Sequence, residues 1–338
     1  MYHSTNRSIA SGGPSPSVTF RDALFMGLAP YGGLFMPDTI PVFSEEDLAK
    51  LRGKSYPEIA GAVLGKFLHA DVDSSALDAI VGATFDFDVP IERLDERTSL
   101  MRLDRGPTAS FKDFAARFMA RMMSHLRPDD QDITVLVATS GDTGSAVGEA
   151  YRGLDGFRVV ILYPEHEVSP GQKQQLESIG DNVRTASVDA KFDRCQELVK
   201  RAFTDPDLEG LNLTSANSIN IGRLLPQIVY YAYAWLEVAN DDESIVFSVP
   251  SGNFGNSLGC EFARRMGVPI ERIIIAVNEN DEFPVFLDTG GYKKIDPSRV
   301  CLSNAMNVGN PSNLARFFDL YGGVLTRDGV VESRPDLN

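Results

Sequence analysis

Residues 132–154 read DITVLVATSGDTGSAVGEAYRGL, and this stretch decides the fold class. DITVLVAT is a β-branched apolar run of the kind found in buried strands, SGDTG interrupts it, and SAVGEAYRGL has helical spacing. The same order continues with the strand RVVILY (158–163), the capped helix SPGQKQQLESIG (169–180), the strand VRTASVD (183–189) and the amphipathic helix FDRCQELVKRAF (192–203). This repetition predicts a mostly parallel sheet with helices on both faces.

A second α/β unit is predicted around residues 240–280. It comprises the strand SIVFSVP (244–250), the turn SGNFGN (251–256), the helix SLGCEFARRMG (257–267) and the strand RIIIAVN (272–278). The apolar segment before it, residues 217–238, predicts a long buried helix with a kink near Pro226. Residues 18–95 are rich in helix signals, such as SEEDLAKL (44–51) and YPEIAGAVLGKFL (56–68), and hold no catalytic grouping.

Composition narrows the class of protein. The chain has 338 residues, 43% hydrophobic and 23% charged, which is typical of a globular protein with a large core. A formal charge of -15, from 47 acidic and 32 basic residues, argues against nucleic acid as the main partner. No apolar run approaches the roughly 18 residues of a membrane span, and the N-terminus lacks the apolar segment of a signal peptide. Three widely spaced cysteines predict no disulfide framework and no metal site, which fits a reducing cytoplasm: Cys195, Cys260 and Cys301.

Two glycine-rich turns each follow a predicted strand, TSGDTG at residues 139–144 and SGNFGN at residues 251–256. Glycine lets a ligand approach the backbone closely, and the amides that open the next helix can bind an anion. Neither turn matches the dinucleotide pattern G-x-G-x-x-G or the phosphate-loop pattern G-x-x-x-x-G-K-[ST]. From the residues alone, an ordinary tight turn and an anion site are equally good interpretations.

Lys112 stands out in the segment RGPTASFKDFAAR at residues 105–117. Ser110 and Asp113 have the spacing of a capping box, which predicts a helix that begins at Phe111. Lys112 then lies at the positive end of the helix dipole. It heads an apolar row of Ala116, Met119 and Met123. These surroundings disfavour the ammonium form and leave an amine available for the imine chemistry that pyridoxal phosphate requires. The commoner alternative is a surface lysine whose stem covers apolar side chains.

The ordered motifs of the chain resemble those of threonine synthases. The similar segments follow the family's order over roughly residues 18–318: GPTASFKDFAARFM, LVATSGDTGSAV, VVILYP followed by SPGQ, NSINIGRLLPQIVYY, SVPSGNFGN and LSNAMNVGNPSN. The ordered set is more specific than any one segment. The resemblance implies the tryptophan synthase β-like fold of pyridoxal-phosphate enzymes (fold type II), with two open α/β domains of mostly parallel sheets and an N-terminal mainly helical region.

The resemblance also implies a division into domains. Residues 1–95 would form the N-terminal threonine-synthase-type domain, residues 96–127 with 213–338 the large cofactor-binding domain, and residues 128–212 a small α/β domain. Family members continue with a segment that meets the pyridine nitrogen of the cofactor. Because this chain ends at RPDLN, the C-terminal part of the large domain is expected to be missing.

Cofactor-binding residues follow from the matched motifs. Lys112 would hold pyridoxal phosphate as an imine and afterwards act as an acid and base. The cofactor phosphate would bind to the turn formed by Gly252, Asn253, Phe254, Gly255 and Asn256. Asp142 would point toward the cofactor ring or be protonated, because an ionised acid is unfavourable beside a substrate carboxylate.

Substrate-binding residues follow in the same way. The carboxylate would bind to Ser140, Gly141 and Thr143. The phosphate of the substrate would bind to Ser218, Asn220 and Arg223. The planar guanidinium of Arg223 suits a phosphate group. The alternative for Arg223 is a helix-surface arginine paired with an acid.

The implied reaction converts O-phospho-L-homoserine and water to L-threonine and phosphate, the last step of threonine biosynthesis. Lys112 would remove the α-proton, a second deprotonation at the β-carbon would permit loss of the γ-phosphate, and water would then add at the β-carbon. Two alternatives stay open, a phospho-lyase that gives 2-oxobutyrate and a truncated non-catalytic relative. The expected partner is the small-molecule substrate, with no nucleic acid and no membrane, and the expected state is a cytoplasmic monomer or homodimer.

Overall fold

The structure is a computed structural model that describes residues 1–6, 16–240 and 243–336. They form two compact units, Met1–Val81 with Ser218–Asn338, and Gly82–Asn217. The helices are α1 (Phe20–Met26), α2 (Glu45–Leu51), α3 (Tyr56–Leu68), α4 (Ser74–Thr84), α5 (Lys112–Leu126), α6 (Asp142–Tyr151), α7 (Pro170–Glu177), α8 (Phe192–Ala202), α9 (Ile221–Leu224), α10 (Pro226–Val238), α11 (Gly255–Arg265), α12 (Glu282–Thr289) and α13 (Leu314–Leu320). The strands are β1 (Tyr2–Ser4), β2 (Phe35–Pro37), β3 (Ile91–Arg93), β4 (Ser99–Met101), β5 (Ile133–Ala138), β6 (Phe157–Pro164), β7 (Val183–Val188), β8 (Leu213–Ser215), β9 (Ile245–Pro250), β10 (Ile270–Ala276), β11 (Val324–Leu325) and β12 (Val331–Ser333).

The Gly82–Asn217 unit is built on a parallel sheet with the strand order β7-β6-β5-β8. On one face, Ile161 of β6 lies against Gly144 and Gly148 of α6, where an added Cβ would collide with it or come into tight contact. On the other face, Leu136 and Ala138 of β5 form a buried cluster with residues of α8. Successive strand residues thus face opposite helix layers, which confirms the predicted parallel sheet covered on both sides.

The other unit has α10 at its centre, packed against α3 and α11. Most of α10 is buried, as its apolar sequence predicts. The segment is helical from Ile221 rather than from residue 217, and the helix is interrupted near Pro226, as predicted. α9 ends at Leu224 and α10 begins at Pro226, a residue that has no amide hydrogen for the helical ladder. β9 and β10 pair in parallel, as expected for the second α/β unit, while the N-terminal part is mainly helical with a short antiparallel pair, β1 and β2.

The predicted starts of the two helices at the glycine-rich turns are wrong. α6 begins at Asp142 rather than Ser145, and α11 begins at Gly255 rather than Ser257. The reason is a sharp backbone turn just before each helix, made by Gly141 with a φ of 131° and by Phe254 with a φ of 62°. Helical geometry can therefore begin at once, and the residues expected in each turn lie in the first helical turn. The short strand β8 was not predicted.

Candidate active site

The predicted site residues fall into two groups, one in each unit. In the Gly82–Asn217 unit, Lys112 is the first residue of α5, and its side chain is 15% exposed. Its Nζ lies 3.2 Å from Oδ2 of Asp142 and 4.8 Å from the centroid of the Phe111 ring. The apolar row of Ala116, Met119 and Met123 is fully buried. Lys112 is therefore a partly buried side chain at the start of a helix, and its Nζ forms an ion pair with Asp142.

The predicted capping box at Ser110 is not formed, and α5 begins one residue later than expected. The Asp113 carboxylate is buried and accepts hydrogen bonds from the backbone amide of Thr108 at 2.9 Å and from its hydroxyl at 2.7 Å. Two donors on one residue satisfy a buried carboxylate better than the single amide of a capping box. These bonds fold the preceding loop back onto the helix start that carries Lys112.

Asp142 is held by two partners. Its Oδ1 accepts a hydrogen bond of 2.7 Å from Nε2 of Gln172, and its Oδ2 pairs with Lys112. Burial alone would raise the pKa of the Asp142 carboxyl, but the Lys112 charge and the Gln172 hydrogen bond outweigh it, so the pKa lies below its usual value. This direction favours the ionised form of Asp142 over the protonated one.

The TSGDTG turn is shaped by Thr139 and two glycines. The buried Thr139 hydroxyl accepts hydrogen bonds from the amides of Gly141 and Gly144, each at 2.9 Å. At Gly141 the φ of 131° suits glycine, and an added Cβ would lie 2.5 Å from the Gln172 side chain. The Gly141 amide is thus used inside the turn. The amides of Asp142 and Thr143 lie in the first turn of α6, where no intrahelical carbonyl can accept them, and such amides bind anions.

Gln172 belongs to this group, although sequence reasoning assigned it no role. It forms a capping box with Ser169, in which the Ser169 hydroxyl accepts from the Gln172 amide at 3.2 Å and Oε1 of Gln172 accepts from the Ser169 amide at 2.9 Å. Because Oε1 is fixed in this way, Nε2 is directed to Asp142. The S-x-x-Q spacing in SPGQ is the signal that could have identified it.

The SGNFGN turn lies in the other unit and precedes α11. Phe254 adopts a left-handed conformation that is uncommon for a residue other than glycine. Its buried ring packs edge-on against Phe283 and Phe317, with centroid distances of 5.2 and 6.3 Å, and this packing holds the backbone in place. At Gly252 an added Cβ would lie 2.9 Å from Cα of Met306, so a side chain would not fit without a shift of the backbone. The first amides of α11 are left as donors for an anion.

The two asparagine side chains of this turn face the protein. Oδ1 of Asn256 accepts hydrogen bonds from the hydroxyls of Tyr230 and Tyr231, both at 2.6 Å. Oδ1 of Asn253 accepts from the backbone amide of Ser312 at 3.4 Å. Both Oδ1 atoms are therefore used within the fold, and the backbone amides at the start of α11 are the candidate donors to an anion.

The predicted phosphate-binding residues surround the start of α9. Asn220 is fully buried, its Oδ1 accepts from the amide of Gly222 at 2.9 Å, and its Nδ2 donates to the carbonyl of Leu24 at 2.8 Å. Its side chain thus shapes the helix start. Arg223 is 3% exposed, which places it inside the unit and not on the helix surface. Ser218 is half-buried.

Comparison with known proteins extends these observations to the whole chain. The family model "Threonine synthase N terminus" matches residues 1–85, and "Pyridoxal-phosphate dependent enzyme" matches residues 89–331. A threonine synthase of Haemophilus influenzae is 41% identical over 312 residues, which cover 91% of this chain and 72% of that protein. This chain belongs to the threonine synthase family.

Solved structures of threonine synthases share its fold. The Escherichia coli enzyme matches with a TM-score of 0.88 and 36% identity, covering 95% of this chain and 74% of that one. The pyridoxal-phosphate-bound threonine synthase of Brucella melitensis matches with a TM-score of 0.87 and 38% identity, covering 95% and 69%. These matches confirm the predicted fold type II architecture and the predicted cofactor.

The residues of this threonine synthase family member fit pyridoxal phosphate. Pyridoxal phosphate has a phosphate, for which the SGNFGN turn offers the backbone amides at the start of α11. It also has an aldehyde, for which Lys112 offers an amine. Among the described residues, no cluster of histidine, cysteine or acidic side chains is placed to hold a metal. None of the described helices combines the length and apolar character that crossing a membrane requires.

Proposed function

We propose that this chain converts O-phospho-L-homoserine and water to L-threonine and phosphate. The observation that carries the proposal is the setting of Lys112, a partly buried amine at a helix start with its Nζ 3.2 Å from the Asp142 carboxylate. It occurs in a chain that is 41% identical to a threonine synthase over 312 residues.

Lys112 has the central chemical role in this proposal. When bound, pyridoxal phosphate supplies the electron sink that makes the α- and β-carbons of the substrate acidic. The SGNFGN amides would hold its phosphate, and the Lys112 amine would hold its aldehyde carbon. After substrate displaces it, Lys112 would take the proton from the α-carbon at Nζ and move protons in the later steps. Asp142, oriented by Gln172, would keep Nζ in position between these transfers.

The substrate's two anionic groups would bind in different places. The carboxylate would bind to Ser140 and the amides of Asp142 and Thr143, since the Gly141 amide already donates to Thr139. The phosphate would bind to Arg223 and Ser218, because a buried guanidinium offers paired donors with little competition from water. Asn220 would act by shaping the start of α9.

Product analysis tests the proposal. Wild-type protein loaded with pyridoxal phosphate is expected to release threonine and phosphate in equal amounts from O-phosphohomoserine. Lys112→Ala is expected to be slower by about 10²–10⁴-fold, the usual contribution of a positioned acid or base. Release of 2-oxobutyrate in place of threonine would favour the phospho-lyase alternative. A folded wild type that takes up no cofactor would favour the non-catalytic relative.

We further propose that the chain acts in the cytoplasm as a monomer or homodimer. We also propose that it has no nucleic-acid partner, because its charge of -15 is unfavourable for binding a phosphate backbone. The domain division at residues 1–95, 96–127 with 213–338, and 128–212 likewise stays a prediction. Sedimentation of the purified protein tests the oligomeric state, and a stable tetramer would contradict it. Limited proteolysis, with fragments identified by mass, tests the domain division, and cleavage only at positions inside the predicted domains would contradict it.

A further inference from the structure

We propose that Asn313 and Arg316 form a positioning pair that fixes the cofactor turn, residues 252–256, relative to the substrate segment, residues 218–223. Asn313 immediately precedes α13, and Arg316 lies within it. The proposal rests on the functions proposed above for these two segments. It assigns a role to the NPSN motif at residues 310–313, which sequence reasoning left without one.

Asn313 joins the two segments through a single amide group. Its Nδ2 donates to the carbonyl of Asn253 at 3.0 Å and to the carbonyl of Ser218 at 3.3 Å. Its backbone amide also donates to the Asn253 carbonyl, at 3.3 Å. The residue is fully buried, so water does not replace these bonds. A shift of either segment would break a hydrogen bond to the same nitrogen atom.

Arg316 fixes Asn313 and the substrate segment together. Its guanidinium donates to Oδ1 of Asn313 at 2.6 Å, to the Ser218 carbonyl at 3.2 Å and to the Ile219 carbonyl at 2.7 Å, while its Nε donates to the Phe35 carbonyl at 3.0 Å. The bond to Oδ1 decides that Nδ2 of Asn313 faces the two carbonyls. The pair therefore acts as a unit, with Arg316 orienting the amide that Asn313 presents.

The charge of Arg316 suits this location. Its side chain is fully buried, and in the described part of the chain its hydrogen bonds all go to neutral oxygen atoms. Burial without a carboxylate lowers the pKa of the guanidinium to about 9, so it remains charged at neutral pH. A buried charge is costly unless it is compensated. The two phosphate groups proposed for the adjoining segments carry charge of the opposite sign.

The decisive variant is Asn313→Asp. It keeps the size of the side chain and an acceptor for Arg316, but it replaces the Nδ2 donor with an oxygen that faces the Asn253 and Ser218 carbonyls. The dissociation constant of pyridoxal phosphate, read from visible absorbance, and the inhibition constant of inorganic phosphate are both expected to rise about tenfold or more, since two buried hydrogen bonds are lost. The cofactor titration does not depend on turnover. It therefore reports on the pair even if wild type forms no threonine.

Asn280→Asp is the matched control. Asn280 is 3% exposed, and its Nδ2 donates to Oδ1 of Asn278 at 2.9 Å and to the carbonyl of Arg299 at 3.0 Å, neither of which belongs to the two segments. The melting temperature of Asn280→Asp should fall as that of Asn313→Asp does. The dissociation constant of pyridoxal phosphate and the inhibition constant of phosphate should stay within about twofold of the wild-type values.

Arg316→Lys and Arg316→Gln provide a second route in case Asn313→Asp does not fold. Lysine keeps the charge but lacks the planar fork, so binding of both anions should weaken, and glutamine, which also removes the charge, should weaken it further. The proposal would be overturned if a folded Asn313→Asp or Arg316→Lys protein had the same dissociation constant for pyridoxal phosphate and the same inhibition constant for phosphate as wild type. An equal loss in Asn280→Asp would overturn it too, as would failure of both Asn313→Asp and Arg316→Lys to fold, because each would indicate a general role in the fold.

Discussion

At the scale of single residues, the site depends on polar side chains that each serve two partners. The Asp142 carboxylate accepts from Lys112 and Gln172, and the Thr139 hydroxyl accepts from two backbone amides. Groups of this kind are costly to lose when buried, because removing one acceptor removes two hydrogen bonds at once. Their contributions can be separated by substitutions that keep the shape of the side chain.

Asp142→Asn should make stability less sensitive to acid. The pKa of Asp142 is lowered in the folded protein, so its contribution to stability is fully present above the usual carboxyl pKa near 3.8 and is lost as the pH falls through the lower folded value. Urea unfolding of both proteins in steps from pH 6 to pH 3 measures this. The wild type should lose more stability than the variant in the lower part of that range. Parallel curves would contradict the assigned ion pair.

Thr139→Val should lower the free energy of unfolding by about 1–3 kcal/mol, because the amides of Gly141 and Gly144 lose their buried acceptor. Thr214→Val is the control. Thr214 is equally buried in the same unit, but its hydroxyl has no hydrogen-bond partner among the described residues, so valine should be neutral or stabilising. Denaturant unfolding of the two variants compares them directly, and equal losses would count against the assigned role of Thr139.

At the scale of elements, the two glycine-rich turns determine where α6 and α11 begin. Each turn uses an unusual backbone angle to start a helix directly after a strand, at Gly141 and at Phe254. This geometry places the amides proposed to bind anions in the first helical turn, where no intrahelical carbonyl accepts them. A side chain that prevents the turn should therefore affect the position of the site residues as well as stability.

Gly141→Ala should destabilise the protein by about 1–3 kcal/mol, the usual cost of strained backbone. Alanine at a φ of 131° is strained, and its Cβ would also meet Gln172. Cofactor affinity should fall too, since Gln172 positions Asp142. Gly171→Ala, with open space around the position, should be neutral or stabilising by up to about 1 kcal/mol. Thermal unfolding and cofactor titration of both variants check this, and an unaffected Gly141→Ala protein would refute it.

Elements with a strong local pattern were predictable from the sequence. The helix α3 and the strands β5 and β6 lie within two residues of their predicted bounds, because their apolar periodicity matches their burial. The start of α5 was not predictable in this way. The Asp113 carboxylate accepts hydrogen bonds from Thr108 instead of from Ser110, and the spacing of a capping box does not reveal such a competing donor. Contacts between distant residues were also missed, such as Gln172 with Asp142 and Arg316 with Ile219, which are 30 and 97 positions apart.

At the scale of the whole molecule, the ordered motifs identified the family, and the comparisons confirm it over more than nine tenths of the chain. The fold type and the cofactor follow from that family. The individual roles of the site residues do not, because they depend on which atoms of each side chain are already used within the fold. The structure supplies that information for Gly141, Asn220 and Asn256.

Pyridoxal phosphate should stabilise the whole protein. A ligand that binds only the folded state adds about 2.7 kcal/mol at a hundredfold excess over its dissociation constant. The melting temperature of wild type should rise with cofactor concentration, and the rise should be much smaller for Lys112→Ala, which retains only the phosphate contacts. Differential scanning fluorimetry measures both proteins. An equal rise in the two would indicate that Lys112 does not take part in cofactor binding.

Lys112 is the residue to which we propose that pyridoxal phosphate attaches. Reduction of the cofactor-loaded wild-type protein with borohydride, followed by proteolysis and mass spectrometry, tests it most directly. We expect a pyridoxyl-modified peptide that contains Lys112 from wild type and no modified peptide from Lys112→Ala. Modification at another lysine, or none in a folded wild-type protein incubated with excess cofactor, would contradict it.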